Sequence, residues 1–355
     1  MRRLFAGLAA VFCLGAAPAP APAGSGGVAL ETLLAEAPAP KLSDYHLFKD
    51  AGGREPNGLT PYALNTPLFS DYAEKFRFAY LPPGTKAAYR PDGVLDFPVG
   101  ATLVKTFAYP ADFRRPDEQV RYLETRLLIR KREGWVALAY VWNDAQTEAV
   151  LKRAGARIDV SFVDAHGQAR QVDYAVPNQN QCKECHQLDK TLTPIGPKAR
   201  NLNGTYPYVG GAENQLAHWS RLGLLAGAPK PAAVARTARW DDPAEPVAAR
   251  ARAYLDANCA HCHNPRAVAS NSGLFLNLEE TRPPQLGVGK GPVAAGRGAG
   301  GFRVGIQPGE PDASILAYRM ASTEPGVMMP ELGRSLTHEE GLALIRAWIA
   351  GMPKP

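Results

Sequence analysis

Arg121-Tyr122-Leu123-Glu124-Thr125-Arg126-Leu127-Leu128-Ile129-Arg130-Lys131 is the stretch on which the fold of the N-terminal half turns. Leu123, Thr125, Leu127 and Ile129 alternate with Glu124, Arg126 and Arg130. That alternation predicts a strand with one apolar and one polar face. Further runs rich in β-branched and aromatic residues flank it, at 99–109 before it and at 135–142, 156–164 and 170–176 after it. Gly134 and Ala165-His166-Gly167 supply turns. Repeated short strands joined by turns predict an antiparallel sandwich-like or jelly-roll-like domain over residues 41–177. Trp135 and Trp142 are read as part of its core, and Arg130-Lys131-Arg132 as a solvated strand end.

Upstream, residues 24–40 are rich in Gly, Ala and Pro and read as a linker, with a brief helical hint at 29–36. Residues 1–23 read as a secretory signal peptide. Met1-Arg2-Arg3 is a positive start, Leu4 to Ala17 a short apolar stretch, and Ala21-Pro22-Ala23 a cleavage site. A periplasmic protein cleaved near Ala23 is therefore expected. Cleavage removes Cys13 and two arginines, so the five cysteines of the 355-residue chain become four and its formal charge of +6 falls. Phe12 is too bulky for a lipid-attachment site before Cys13. The length allows two or three domains. Beyond the N-terminus no apolar run reaches the ~18 residues of a membrane span. No Lys/Arg run exceeds three residues, which argues against nucleic acid as a partner.

The four remaining cysteines fall as Cys182-Lys183-Glu184-Cys185-His186 and Cys259-Ala260-His261-Cys262-His263. Both segments are CxxCH, the spacing that attaches a c-type haem. Two thiols on one turn can each add across a haem vinyl group, and the imidazole that follows can bind the iron. Cys182, Cys185, Cys259 and Cys262 are thus the expected covalent attachments of two haem c groups, with His186 and His263 as proximal iron ligands. Other uses of the cysteines fit less well. A four-cysteine zinc site places its pairs about 15–20 residues apart, a redox CxxC opens a helix in a βαβ unit, and a disulfide across two residues is strained. His261 cannot reach the iron bound beside it and is read as exposed.

After Pro177 the strand pattern stops. Residues 178–240 are expected to form the first haem-binding segment, with a short helix at 213–225 and an Ala/Pro-rich linker at 226–241. Residues 241–355 read as a helical domain. Asp242, Pro243 and Glu245 have the signature of a helix start, and Val247, Ala251, Tyr254 and Leu255 share a face leading into Cys259. A last helix is expected with Thr337 as cap, Glu340 in its first turn, Leu342, Ile345, Trp348 and Ile349 on its apolar face, and Gly351 as stop.

Helix, CxxCH, long loop, Met328-Met329-Pro330 and final helix follow the order of class I cytochrome c, and residues 242–352 resemble that family. The resemblance implies that the first and last helices cross through Tyr254 and Trp348. It also implies a loop methionine as distal ligand of the second haem: Met329, next to Pro330, is the expected residue and Met328 the alternative. A carbonyl at Pro265 is expected to accept the second N–H of His263. The chain as a whole resembles a group of bacterial dihaem cytochromes with a β domain ahead of the haem motifs. That resemblance lies in Pro67-Leu68-Phe69-Ser70-Asp71-Tyr72-Ala73, Asp96-Phe97-Pro98-Val99-Gly100, Glu124-Thr125-Arg126, Tyr140-Val141-Trp142-Asn143 and Ile195-Gly196-Pro197-Lys198-Ala199-Arg200. It implies periplasmic electron transfer with redox protein partners. Members are often encoded beside a parallel β-helix protein, which makes such a protein a candidate partner. The expected fold class is α+β: an N-terminal antiparallel β-sandwich-like domain followed by mostly α-helical cytochrome c-type haem domains.

The first site departs from class I. Pro177-Asn178-Gln179-Asn180 precedes it, and no methionine lies between it and the 226–241 linker. Its distal ligand could be His218 from the short helix, Met320 or Met328 from the C-terminal domain, or His46 or His166 from the β domain; otherwise the position is open. Filled coordination spheres imply outer-sphere electron transfer, the leading expectation. An open first iron implies a dihaem peroxidase-like enzyme. A third reading makes the β domain a binding module for a carbohydrate or protein, wired to a respiratory chain by the haems.

Overall fold

The computed structural model describes residues 27–354, so the expected signal peptide and Cys13 lie outside the described residues. The chain is mixed α+β, with its main sheet in the N-terminal half and its longest helices toward the C-terminus. The strands in order are β1 (Thr60–Pro61), β2 (Glu74–Tyr80), β3 (Ala87–Ala88), β4 (Thr102–Tyr109), β5 (Arg121–Arg130), β6 (Trp135–Trp142) and β7 (Ala149–Leu151). All but β3 form one six-stranded antiparallel sheet in the order β1-β2-β4-β5-β6-β7. β8 (Ala156–Val163) and β9 (Ala169–Val176) make a separate hairpin. The strands expected from sequence are all present; β2 was not among them.

Strand alternation divides the sheet into two buried faces. On one, Val104, Leu127, Ile129, Tyr140 and Trp142 pack with Leu33, Leu42, Tyr45 and Leu47. Residues 28–40, expected as a linker, therefore cover a core, and α1 (Leu30–Leu34) buries Leu33 completely. The other face is covered at its two ends. At one end Phe162, Val172 and Tyr174 of the β8–β9 hairpin pack on Phe107, Tyr109 and Leu123. Leu123 was expected to share a face with Leu127 and Ile129. A register shift between Phe107 and Ala108 makes those residues pair with Glu124 and Tyr122, so the residue between is extra and joins the hairpin side.

The other end is covered by the segment after Pro177. α2 (Gln179–His186) opens it; α3 (Ala199–Leu202) and α4 (Gln215–Arg221) then place Leu202, Leu216 and Trp219 against Ala79, Phe97 and Leu103. Leu225 and Ala226 pair in parallel with β3. Residues 178–240 are thus built onto the sheet. The stretch 226–241, expected as a second linker, is also fixed: Asn203 Nδ2 donates to the carbonyl of Val234 at 2.8 Å, and Thr237 Oγ1 donates to Asn201 Oδ1 at 2.8 Å.

The C-terminal part contains α5 (Val247–Asn258), α6 (Ile315–Ala321) and α7 (Glu339–Ala350). α5 starts later than Asp242, whose carboxylate instead accepts from the Ala244 amide in a turn. α7 has His338 in the cap position in place of Thr337, while Gly351 closes it as expected. α5 and α7 pack together around Tyr254, Leu255, Leu344, Ile345 and Ile349, with Trp348 partly buried at the margin. Tyr254 packs on Gly341, where an added Cβ would lie 2.5 Å from the ring. Among the described residues no helix is long and apolar enough to cross a membrane.

That contact makes a test. Gly341→Ala gains about 1 kcal/mol of helix propensity, but the methyl meets a buried ring that His338 also holds, and overpacking costs about 1–3 kcal/mol. A net loss of up to about 2 kcal/mol is expected in urea unfolding. Greater stability would mean that α7 does not depend on a bare backbone at this position.

Candidate functional site

The middle of the second sheet face is not covered by apolar side chains. It forms one wall of a cleft with about 210 Å3 open to the centres of water molecules. Arg77, Lys105 and Arg126 stand on this wall, opposite one another on β2, β4 and β5. Glu124 is fully buried beside them. It accepts from Arg126 Nη2 at 2.5 Å and Nε at 2.9 Å, and from the Tyr174 hydroxyl at 2.7 Å. Phe107 lies beneath, its ring centre 4.2 Å from the Arg126 guanidinium carbon and 4.9 Å from Lys105 Nζ. Burial, followed by the neighbouring Arg77, lowers Lys75 to about 7. Burial and then Arg126 hold Lys105 well below the usual lysine range.

The opposite wall begins with α2. Asn178 caps it, accepting from the amides of Asn180 and Gln181, while the Gln181 side chain accepts from the Asn178 amide at 2.9 Å. This reciprocal cap starts a helix immediately before Cys182, so the first CxxCH lies on a helix that the sequence reading missed. The available signal was an Asn followed three residues later by a Gln. Cys182, Cys185 and His186 all face the cleft. His186 Nδ1 lies 3.0 Å from the carbonyl of Thr193, an acceptor that places the proton there and leaves Nε2 its lone pair. Burial pulls His186 to about 4 and raises the Cys182 thiol.

The second motif follows α5. Cys259 lines the cleft, its thiol pushed up to about 12 by burial. The sulfurs of Cys185 and Cys262 and a ring nitrogen of His261 lie within 4.8 Å of one another. The Cys262 thiol holds Cys185 down, and the same contact raises Cys262. His261, expected to be exposed, is half-buried on the cleft wall, and its Nδ1 is enclosed without a hydrogen-bond partner among the described residues. His263 is not among the residues that line the cleft. Its Nδ1 lies 3.4 Å from Ser272 Oγ, so the expected Pro265 carbonyl is not its partner. Burial lowers it to about 4. All four cysteines are free.

Met329 and Met320 line the cleft and Met328 does not. Met329 is held through its backbone: its amide donates to the Arg319 carbonyl at 3.0 Å, and its carbonyl accepts from Arg334 Nη2 at 2.9 Å. Asp71 secures the end of this loop by accepting from the amides of Ser335 and Leu336, both at 2.7 Å. His218 lies elsewhere: its Nδ1 is 2.7 Å from Glu213 and its ring is stacked on Tyr208. His46 and His166 are exposed in turns. The histidine that sequence reading passed over is His338, which lines the cleft, stacks on Phe69 at 4.2 Å and has Nδ1 3.0 Å from the Tyr254 hydroxyl. Its only sequence signal was a place at the start of an amphipathic helix.

No protein-family model, curated protein or solved structure matches the chain.

Burial holds His338 near 4 against an ordinary 6.5, so the unfolded chain takes up its proton first as pH falls. The stability it contributes is complete above pH 6.5 and lost on the way down to pH 4, by roughly 3 kcal/mol. Urea unfolding at pH 7 and pH 4 should show a drop larger by about that amount in the native protein than in His338→Gln. Equal drops would remove His338 as an acid-sensitive point.

Proposed function

We propose that the protein is an exported c-type cytochrome that carries electrons through two covalently bound haems. The observation that carries this reading is that residues of two CxxCH segments far apart in sequence, Cys182, Cys185 and His186 of the first and Cys259 and His261 of the second, line one cleft. The chemistry of the donors fits haem. All four thiols are free, the two motif histidines are neutral imidazoles at pH 7, and Met320 and Met329 offer thioethers. Cys182 and Cys185 would hold one haem and Cys259 and Cys262 the other, with His186 and His263 toward the irons and Met329 as distal ligand of the second. Bound haem supplies reversible one-electron chemistry at iron. The chain's own part is to keep the His186 proton on the Thr193 side, to hold Met329 by Arg319 and Arg334, and to restrict water in the cleft. In the same reading the helices at 241–355 form a cytochrome c-like unit and the β region a sandwich-like one, and the protein exchanges electrons with periplasmic redox partners.

A second reading draws on one observation: Cys185, His261 and Cys262 are spaced to hold a metal ion such as zinc. Protein matured with the c-type attachment system separates the two. Two haems per chain are expected by pyridine haemochrome, falling to one in Cys182→Ser/Cys185→Ser and unchanged in His261→Gln. No covalent haem, with one zinc that His261→Gln abolishes, would establish the metal site in its place. Met329→Ala should remove the weak red charge-transfer band of one ferric haem. If Met328→Ala removes it while Met329→Ala does not, the ligand is Met328.

A further inference from the structure

The sheet wall carries more positive charge than its partners neutralise. The other cations of the cleft are each held by several acceptors. Lys198 and Arg200 share the buried carboxylate of Asp256, and Arg334 donates to the carbonyls of Arg319, Ser322, Met329 and Leu336. Arg126 has Glu124. Arg77 and Lys105 have fewer acceptors, and neither has a carboxylate within ion-pair range among the described residues. Arg77 reaches only the Lys75 carbonyl at 3.2 Å, and Lys105 rests on the Phe107 ring. Like charges directly opposite on neighbouring strands repel, and this row has Lys105 between two guanidinium groups. Arg77 is 8% exposed, so solvent does little to screen it. Such a row is stabilised by an anion lying across it, and guanidinium groups favour a planar carboxylate that can accept two parallel hydrogen bonds.

We propose that Arg77 and Lys105, flanked by the Glu124-paired Arg126, form a carboxylate-binding row through which the β-sheet takes part in the site. Two sources carry this chemistry: the propionates of the haem held by Cys182 and Cys185, or a small free carboxylate entering the cleft. The first source rests on the proposed function; the second does not. The row faces the same cleft as Cys182 and His186. A row neutralised by propionates also sets the potential, since cations beside a haem disfavour its ferric form.

The test uses the full protein after haem maturation, comparing the native chain with Lys105→Gln, Arg77→Gln, the charge-conserving Lys105→Arg and the exposed Lys86→Gln. Haem content by pyridine haemochrome is measured first and reports on the parent reading alone. With two haems present, Lys105→Gln and Arg77→Gln should each lower the midpoint potential of one haem and shift its propionate bending modes in resonance Raman. Lys105→Arg should restore both, and Lys86→Gln should change neither. Either neutral variant suffices if the other fails to fold. If potentials and propionate modes do not move, but acetate shifts the haem spectrum saturably in the native protein and not in Lys105→Gln, the occupant is a free carboxylate. If the native protein carries no haem, acetate titration by calorimetry against Lys105→Gln gives the same decision. Absence of every one of these effects overturns the proposal.

Discussion

Arg77, Lys105 and Arg126 lie on the inner side of the sheet because strand alternation leaves them no other place. Their neighbours one residue away, Phe76, Phe78, Val104, Thr106, Thr125 and Leu127, occupy the opposite side, where Val104 and Leu127 join the core closed by α1 and residues 42–47. A slip of one residue would exchange the two sets and put three cations into that core. The register is therefore strongly specified, and its consequence is a face that apolar packing can close only at its ends. The β8–β9 hairpin covers one end and α3–α4 the other. What remains between them is the cleft.

The second wall has to be brought to this opening and kept there, and residues 66–72 do most of that. The Phe69 amide donates to Asn258 Oδ1 at 2.7 Å at the end of α5, one residue before Cys259. The Phe69 ring stacks on His338 at the start of α7, and Tyr72 donates to Glu340 in its first turn. Asp71 is almost fully buried, and burial raises its carboxyl even as the Ser335 and Leu336 amides pull it down. One short segment between β1 and β2 thus grips both helices that frame the second CxxCH and the loop that carries Met329. The second motif and the Met329 loop are fastened beside the sheet through these bonds, and not through one uninterrupted core.

The longer strands other than β2, and the last helix, were legible because period two and the apolar spacing of α7 survive in the sequence. Gly341 was not read as a contact, since a glycine inside a helix announces nothing until an aromatic partner is known. The segments taken for linkers, 24–40 and 226–241, mislead for a different reason. Their Ala and Pro content erases periodicity, but a chain can be fixed by side-chain amides bonding its carbonyls, as Asn203 does at Val234. Leu123 was assigned to the wrong side because a bulge in the β4–β5 pairing cannot be seen in one strand alone. Among the site residues, the CxxCH positions were plain from spacing. The place of His261 cannot be seen from its own motif, because its neighbour is Cys185 from the other motif. The charged row was invisible for the same reason: Arg77, Lys105 and Arg126 become neighbours only through strand pairing.

The adjacency of Cys185 and Cys262 also bears on how the thiols are used. A thioether and a metal thiolate consume the same sulfur, so haem at both motifs and an ion held by Cys185, His261 and Cys262 are exclusive alternatives. The ion would employ three residues and leave Cys182, Cys259, His186 and His263 without a role. Yet His186 has the feature a metal-binding imidazole needs, a backbone carbonyl on Nδ1 and a free Nε2. A buried neutral histidine is costly to maintain without a partner for its second nitrogen. Two haems would employ all four sulfurs and both imidazoles, and their propionates would match the cations that the sheet leaves unpaired. The metal reading leaves the charge on the opposite wall unexplained; the haem reading accounts for both walls of the cleft with one kind of ligand.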